Sequence, residues 1–164
     1  MSYYKSLTTK KADKNVAMNP AVDALSKRDR TFLFIVRPEQ HKRQEALAYE
    51  LHSAVTVVDW REEFLSEAQP GQKYLNLSVG GELDRLKKLS RLHRDKILCV
   101  INTEYPLTRF NRHDRQTFWR GLWTDFPYSD AVIIYASLNV EEVLPSPVEL
   151  ERWEASGRVL RPRR

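Results

Sequence analysis

Thr31-Phe-Leu-Phe-Ile-Val-Arg-Pro-Glu-Gln-His-Lys-Arg43 is the stretch on which the fold turns. Its first six residues are almost wholly apolar, with aromatic and β-branched side chains, as in a strand buried on both faces. Pro38 stands where a helix can begin, because its missing N–H costs nothing in the first turn. The helix is expected to run to about His52, with Gln44, Leu47, Ala48 and Leu51 on one face. In many α/β proteins such a strand-to-helix junction holds phosphate in a glycine-rich loop, G-x-x-x-x-G-K-[ST]. Laid on Val36 to Arg43, that pattern puts its lysine on Lys42, its glycines on Val36 and His41, and its hydroxyl on Arg43. Val36 and His41 carry β-carbons that resist the positive φ angles such a loop needs. Pro38 removes a donor, and Arg43 has no hydroxyl for magnesium. The junction therefore reads as one that does not hydrolyse nucleotide, with Arg37, Lys42 and Arg43 left for residual phosphate contact.

Strands and helices alternate outward from this junction. Val55 to Asp59 reads as a second strand. Trp60 to Ala68 is a short helix or loop that ends at Pro70-Gly71. Tyr74-Leu-Asn-Leu77 is extended, and Ser78 caps a helix from Val79 to about Arg94. Leu83, Leu86, Leu89 and Leu92 recur along that helix and are expected to face the core. Ile97-Leu-Cys-Val-Ile101 is a continuous apolar strand. A helix from about Asn111 to Trp123, a strand Ala131 to Tyr135, a short helix Val148 to Ala155 and an edge strand at Val159-Leu160 complete the order. This spacing predicts one α/β domain over residues 29–164, with a mainly parallel sheet in three layers: a P-loop-type fold without a functional phosphate loop. Residues 1–28 read as a basic N-terminal arm or tail, with a short helix at about Pro20 to Lys27.

The second half of a nucleotide site would lie after the apolar strand that ends at Ile101. P-loop ATPases place an acid there to hold magnesium and polarise water. Asn102 occupies that position, and Glu104 follows two residues later. An amide lacks the charge that makes a carboxylate a good magnesium ligand. Both halves of the machinery are thus weakened together.

The order of strand, basic loop, helix, strand, Tyr74-Leu-Asn-Leu77, leucine-rich helix, Asn102-Thr-Glu104, Tyr105-Pro-Leu107, helix and Val132-Ile-Ile-Tyr135 resembles the small α/β subunits of bacterial phage-exclusion (BREX) systems. The resemblance spans about Thr31 to Ala136. It implies a role in a multiprotein, DNA-targeting defence complex, and the missing glycines argue against ATP binding.

Composition narrows the class. The formal net charge is +5, which suits nucleic acid or an acidic protein as partner and equally suits solubility. Hydrophobic residues are 41% and charged residues 30%, as in a soluble globular protein. The single Cys99 lies inside an apolar strand, so an internal disulfide is excluded and a buried thiol in a reducing compartment is expected. His41, His52, His93 and His113 are scattered, with no zinc spacing. No apolar run reaches the roughly 20 residues of a membrane span, and the N-terminal stretch has no signal-peptide apolar segment. The expected setting is the cytoplasm, without membrane, metal or cofactor.

Arg109-Phe-Asn-Arg-His-Asp-Arg-Gln-Thr-Phe-Trp-Arg120 is the best candidate for an interaction site. Arginines interleaved with aromatics can hold phosphates and stack bases. Phe118 with Leu122 and Trp119 with Trp123 are also i, i+4 pairs that suit a core. Lys87, Arg91 and Arg94 form a second basic row. The expected function is a non-catalytic interaction or assembly subunit of a bacterial nucleic-acid-handling complex. Its partners would be other protein subunits and DNA or RNA, met through Arg109, Arg112, Arg115, Arg120, Lys87, Arg91 and Arg94. Two alternatives stand beside it. One is a divergent NTPase or metal-dependent nuclease using Lys42, Asp59 and Glu104. The other is a protein-protein adaptor relying on Trp119, Trp123 and Trp153. The basic C-terminal end, with Arg158, Arg161, Arg163 and Arg164, reads as a solvated terminus or a tail near phosphate.

Overall fold

The apolar runs Thr31–Val36 and Ile97–Ile101 form strands buried at every residue, as strands covered on both faces are. β1 (Thr31–Val36), β2 (Val55–Asp59), β3 (Ile97–Ile101), β4 (Val132–Ser137) and β5 (Val159–Leu160) make one five-stranded sheet of order β2-β3-β4-β1-β5. Every pairing is parallel. The computed structural model describes residues 31–51, 54–72, 76–93, 95–124, 132–137 (backbone) and 142–161. The N-terminal arm, the helix at Pro20 to Lys27, Tyr74, Leu75, Arg94, Ala131, Arg163 and Arg164 lie outside the described residues.

The helices are α1 (Gln44–Leu51), α2 (Trp60–Ser66), α3 (Val79–Leu92), α4 (Glu104–Leu107), α5 (Arg112–Thr124) and α6 (Pro147–Ala155). Successive strand residues point to opposite faces, so the core falls into two clusters. Leu33, Ile35, Leu98 and Val100 pack with Trp60, Leu86, Leu107, Phe118 and Trp153 from α2 to α6. Phe32, Phe34, Val36, Ile97, Cys99 and Ile101 pack with Leu47 and Ala48 of α1. The topology explains this division. Parallel crossovers share one hand. The β1-to-β2 crossover runs along the sheet in the direction opposite to the later ones, so its helix must lie on the opposite face. Burial also pushes the Cys99 thiol well above its ordinary pKa, because a thiolate there would have no solvation.

Three sequence expectations are corrected. Pro38–Arg43 is a 3-10 helix and α1 starts at Gln44. The tighter turn lets the Gln40 side chain accept the Arg37 N–H at 3.3 Å, and it stacks residues three apart such as His41 and Gln44. Leu92 is 75% exposed. Steps of three residues turn 300° about a helix with 3.6 residues per turn, so the leucine row drifts and its fourth member faces away from its first. Arg158 is buried rather than solvated: its Nε donates to the Thr31 carbonyl at 2.9 Å, and its guanidinium lies over the Trp123 and Trp153 rings. The sequence reading also did not anticipate α4. Pro106 falls in its first turn, where a missing N–H is tolerated.

Candidate functional site: a self-paired rim and an open cationic face

In open parallel sheets, sites form beyond the C-terminal strand ends where neighbouring crossovers leave on opposite faces. That condition holds between β1 and β4. The residues expected to form a nucleotide site gather around this place: the loop after β1, Asp59 at the end of β2, and Asn102 and Glu104 after β3.

They bind one another. His41 Nε2 lies 3.2 Å from Glu104 Oε1. β1 and β3 are separated in the sheet by β4, so this contact bridges across the switch point. Gln44 Oε1 accepts the Asn102 N–H at 3.2 Å, which turns the Gln44 amide nitrogen towards His41 Nδ1 at 2.9 Å. Nδ1 is then the acceptor and Nε2 carries the proton given to Glu104, so one tautomer satisfies both contacts. Asp59 is in register with Ile101, which brings it beside Asn102. The Asn102 Nδ2 donates to Asp59 Oδ2 at 2.7 Å. Asn102 takes φ +55°, a left-handed conformation that asparagine tolerates. Asp59 also caps α2, accepting the Arg61 N–H at 2.9 Å, and pairs with the Arg61 guanidinium at 3.2 Å.

Most of the groups a phosphate site would use are paired with one another here. The amide that replaces the expected acid donates to a carboxylate. Asp59 is held by Asn102 and Arg61, and Glu104 by His41. Glu104 Oε2 is buried without a hydrogen-bond partner among the described residues. No group of three or more His, Cys, Asp or Glu among the described residues could hold a metal ion. Of the loop cations, Arg37 lies 3.9 Å from Glu39 and Arg43 lies 3.2 Å from Glu50. Lys42 is exposed and has no partner among the described residues.

The cations of α3, α4 and α5 are arranged differently. Gly121 of α5 packs so close to α3 that a β-carbon there would lie 2.5 Å from Leu83 Cδ1. Lys87 and Arg91 sit one and two turns beyond Leu83 on the same row. Lys87 lies 4.0 Å from Asp84, while Lys88 and Arg91 are exposed. Arg109 is exposed beside the Tyr105 ring, and Arg112 and Arg120 are exposed on α5. Arg115 is set apart: its guanidinium donates to the Phe110 carbonyl at 2.6 Å and fixes the corner between α4 and α5. Arg94 lies outside the described residues.

Two features of the helical layer escaped the sequence reading. Glu82 is 2% exposed. It accepts from Trp60 Nε1 at 2.7 Å and from Arg85 Nε at 3.3 Å. Arg85 also donates to Glu67 at 2.7 Å. Burial alone would lower the Arg85 pKa, but Glu67 and Glu82 outweigh it and hold the pKa above its ordinary value. The second feature is that the three tryptophans grouped from the sequence as adaptor residues share one groove between α5 and α6. Trp119 and Trp123, one turn apart on α5, converge there with Trp153 of α6. Among the described residues, no helix is long and apolar enough to cross a membrane. No family model, curated protein or solved structure matches the chain.

Proposed function

We propose that the chain is a non-catalytic interaction or assembly subunit of a nucleic-acid-handling complex, built on a three-layer P-loop-type fold without a working phosphate loop. The observation that carries this reading is the self-pairing of the rim. Where a nucleotide enzyme of this architecture keeps free N–H groups, a hydroxyl and an acid, His41, Gln44, Asn102, Asp59 and Glu104 are bonded to one another. Binding a triphosphate there would cost several of these bonds before any was regained.

The exposed cations Lys88, Arg91, Arg109 and Arg112 support contact with a polyanion, since neutralising phosphates is the main source of sequence-independent nucleic-acid affinity. The formal charge of +5 points the same way. The likeness to phage-exclusion subunits supports other protein subunits as partners and a place in antiviral defence. The single buried thiol fits the cytoplasm.

The test is a salt titration of DNA binding by the full chain and by a variant carrying Arg91→Ala, Arg109→Ala and Arg112→Ala. The variant should bind more weakly, and its log-log salt slope should flatten by about 0.9 for each phosphate that is no longer neutralised. An unchanged slope at full affinity would sink the reading.

A further inference from the structure

The groove between α5 and α6 has the composition of an interface centre. Trp153 packs edge-on against Trp119 and Trp123, with ring centroids 6.2 and 5.4 Å away. These three line a cavity of about 290 Å³. Arg120 and Arg152 also line it; both are exposed, and neither guanidinium has a partner among the described residues. Val148, 61% exposed, adds an apolar rim. Tryptophan and arginine around a part-desolvated pocket typify binding hot spots rather than a solvated helix face.

We propose that this groove docks a peptide segment of a partner protein, one that inserts a single large apolar side chain beside a carboxylate. The inference rests on the chain being an interaction subunit; it shares Arg120 with the α5 cations but uses none of Lys88, Arg91, Arg109 and Arg112, on which the DNA reading rests. The cavity lies at the low end of ligand pockets, about 300 Å³. That is room for a large apolar side chain of an incoming segment and not for a whole helix. Two unpaired guanidiniums complement a carboxylate, which arginine binds in a two-pronged manner. Glu149, on the same wall, is turned to the cap of α6: its Oε2 accepts from the Ser146 N–H at 3.2 Å and the Ser146 hydroxyl at 2.8 Å, and it forms no ion pair with either arginine among the described residues.

A nucleic-acid strand fits less well. Trp119 and Trp153 are 1% and 2% exposed. The Arg158 guanidinium covers the Trp123 and Trp153 rings at 4.2 and 4.6 Å. The groove therefore offers ring edges more than the open faces that stacking bases need. A phosphate backbone leaving along α6 would also run past Glu149, Glu151 and Glu154.

The test follows the indole N–H signals of the full chain by nuclear magnetic resonance. Trp60, bonded to Glu82 away from the groove, serves as internal reference. The probes are a Gly/Ser peptide carrying Asp-Phe-Asp, its Lys-Phe-Lys counterpart, and oligo-dT. The Asp-Phe-Asp peptide should move the Trp123 and Trp153 signals, leave Trp60 in place, and bind about tenfold more tightly than the lysine peptide. The double variant Arg120→Glu, Arg152→Glu should invert that order. Equal binding of the two peptides, no movement with either, or oligo-dT moving the same signals would overturn the proposal. DNA binding measured on the same samples separates the two readings. Peptide recognition without DNA binding would uphold the groove and remove the nucleic-acid reading, and the reverse pattern would remove the groove alone.

Discussion

The rim above the strands and the groove between α5 and α6 are both rich in polar side chains, yet they use them in opposite ways. At the rim, His41, Gln44, Asp59, Asn102 and Glu104 are joined by contacts of 2.7 to 3.2 Å that link the ends of β1, β2 and β3. In the groove, Arg120 and Arg152 line the same cavity as the tryptophans and have no partner among the described residues. Paired groups hold a fold together and leave little over for a ligand, here Lys42 and the second oxygen of Glu104. Unpaired charges beside apolar surface hold little together and remain free to bind. On the proposed reading, function belongs to the helical faces and the sheet rim serves stability.

Substitutions can break this contrast. The largest effect is expected in the second closed network, under α3. Glu82→Ala would leave the Trp60 N–H and the Arg85 guanidinium without their buried acceptor, and removing one member of such a set costs about 3–5 kcal/mol. Urea unfolding measures this, and a loss below about 1 kcal/mol would mean the network is solvated. Gly121→Ala comes next. Its new methyl would meet Leu83 Cδ1, and overpacking of this kind costs about 1–3 kcal/mol. Because it pries α3 from α5, it should also weaken DNA binding if the Lys87–Arg91 row and Arg112 act as one surface. His41→Ala should cost about 0.5–1.5 kcal/mol and leave DNA affinity unchanged. A rim variant that abolished binding with its stability intact would reverse the assignment of the two regions.

The sheet was legible because Phe32 to Val36 and Ile97 to Ile101 are apolar on both faces, a pattern that few other elements allow. The departures from the phosphate-loop pattern at Val36, His41 and Asn102 were legible for the same local reason, since each is read at a single position. What local pattern did not carry was the destination of polar side chains. Glu82 stands in the first turn of α3, where any acid suits the helix dipole, and only the arrival of Trp60 from another helix makes it a buried acceptor. The 3-10 turn at Pro38 is held by His41 reaching Glu104, far along the chain. Trp119 and Trp123 were visible as a pair one turn apart, but Trp153 joins them through the crossover that follows β4. Leu92 was misplaced because a three-residue repeat imitates a helical stripe for about two turns and then leaves it.

Binding of labelled single- and double-stranded DNA across a salt series, with and without ATP and magnesium, tests the central claim most directly. Affinity should be micromolar or tighter at low salt, fall steeply as salt rises, and be the same with and without ATP. A clear ATP effect would contradict the self-paired rim and return Lys42 to a working phosphate site. No binding at low salt would contradict the cationic face.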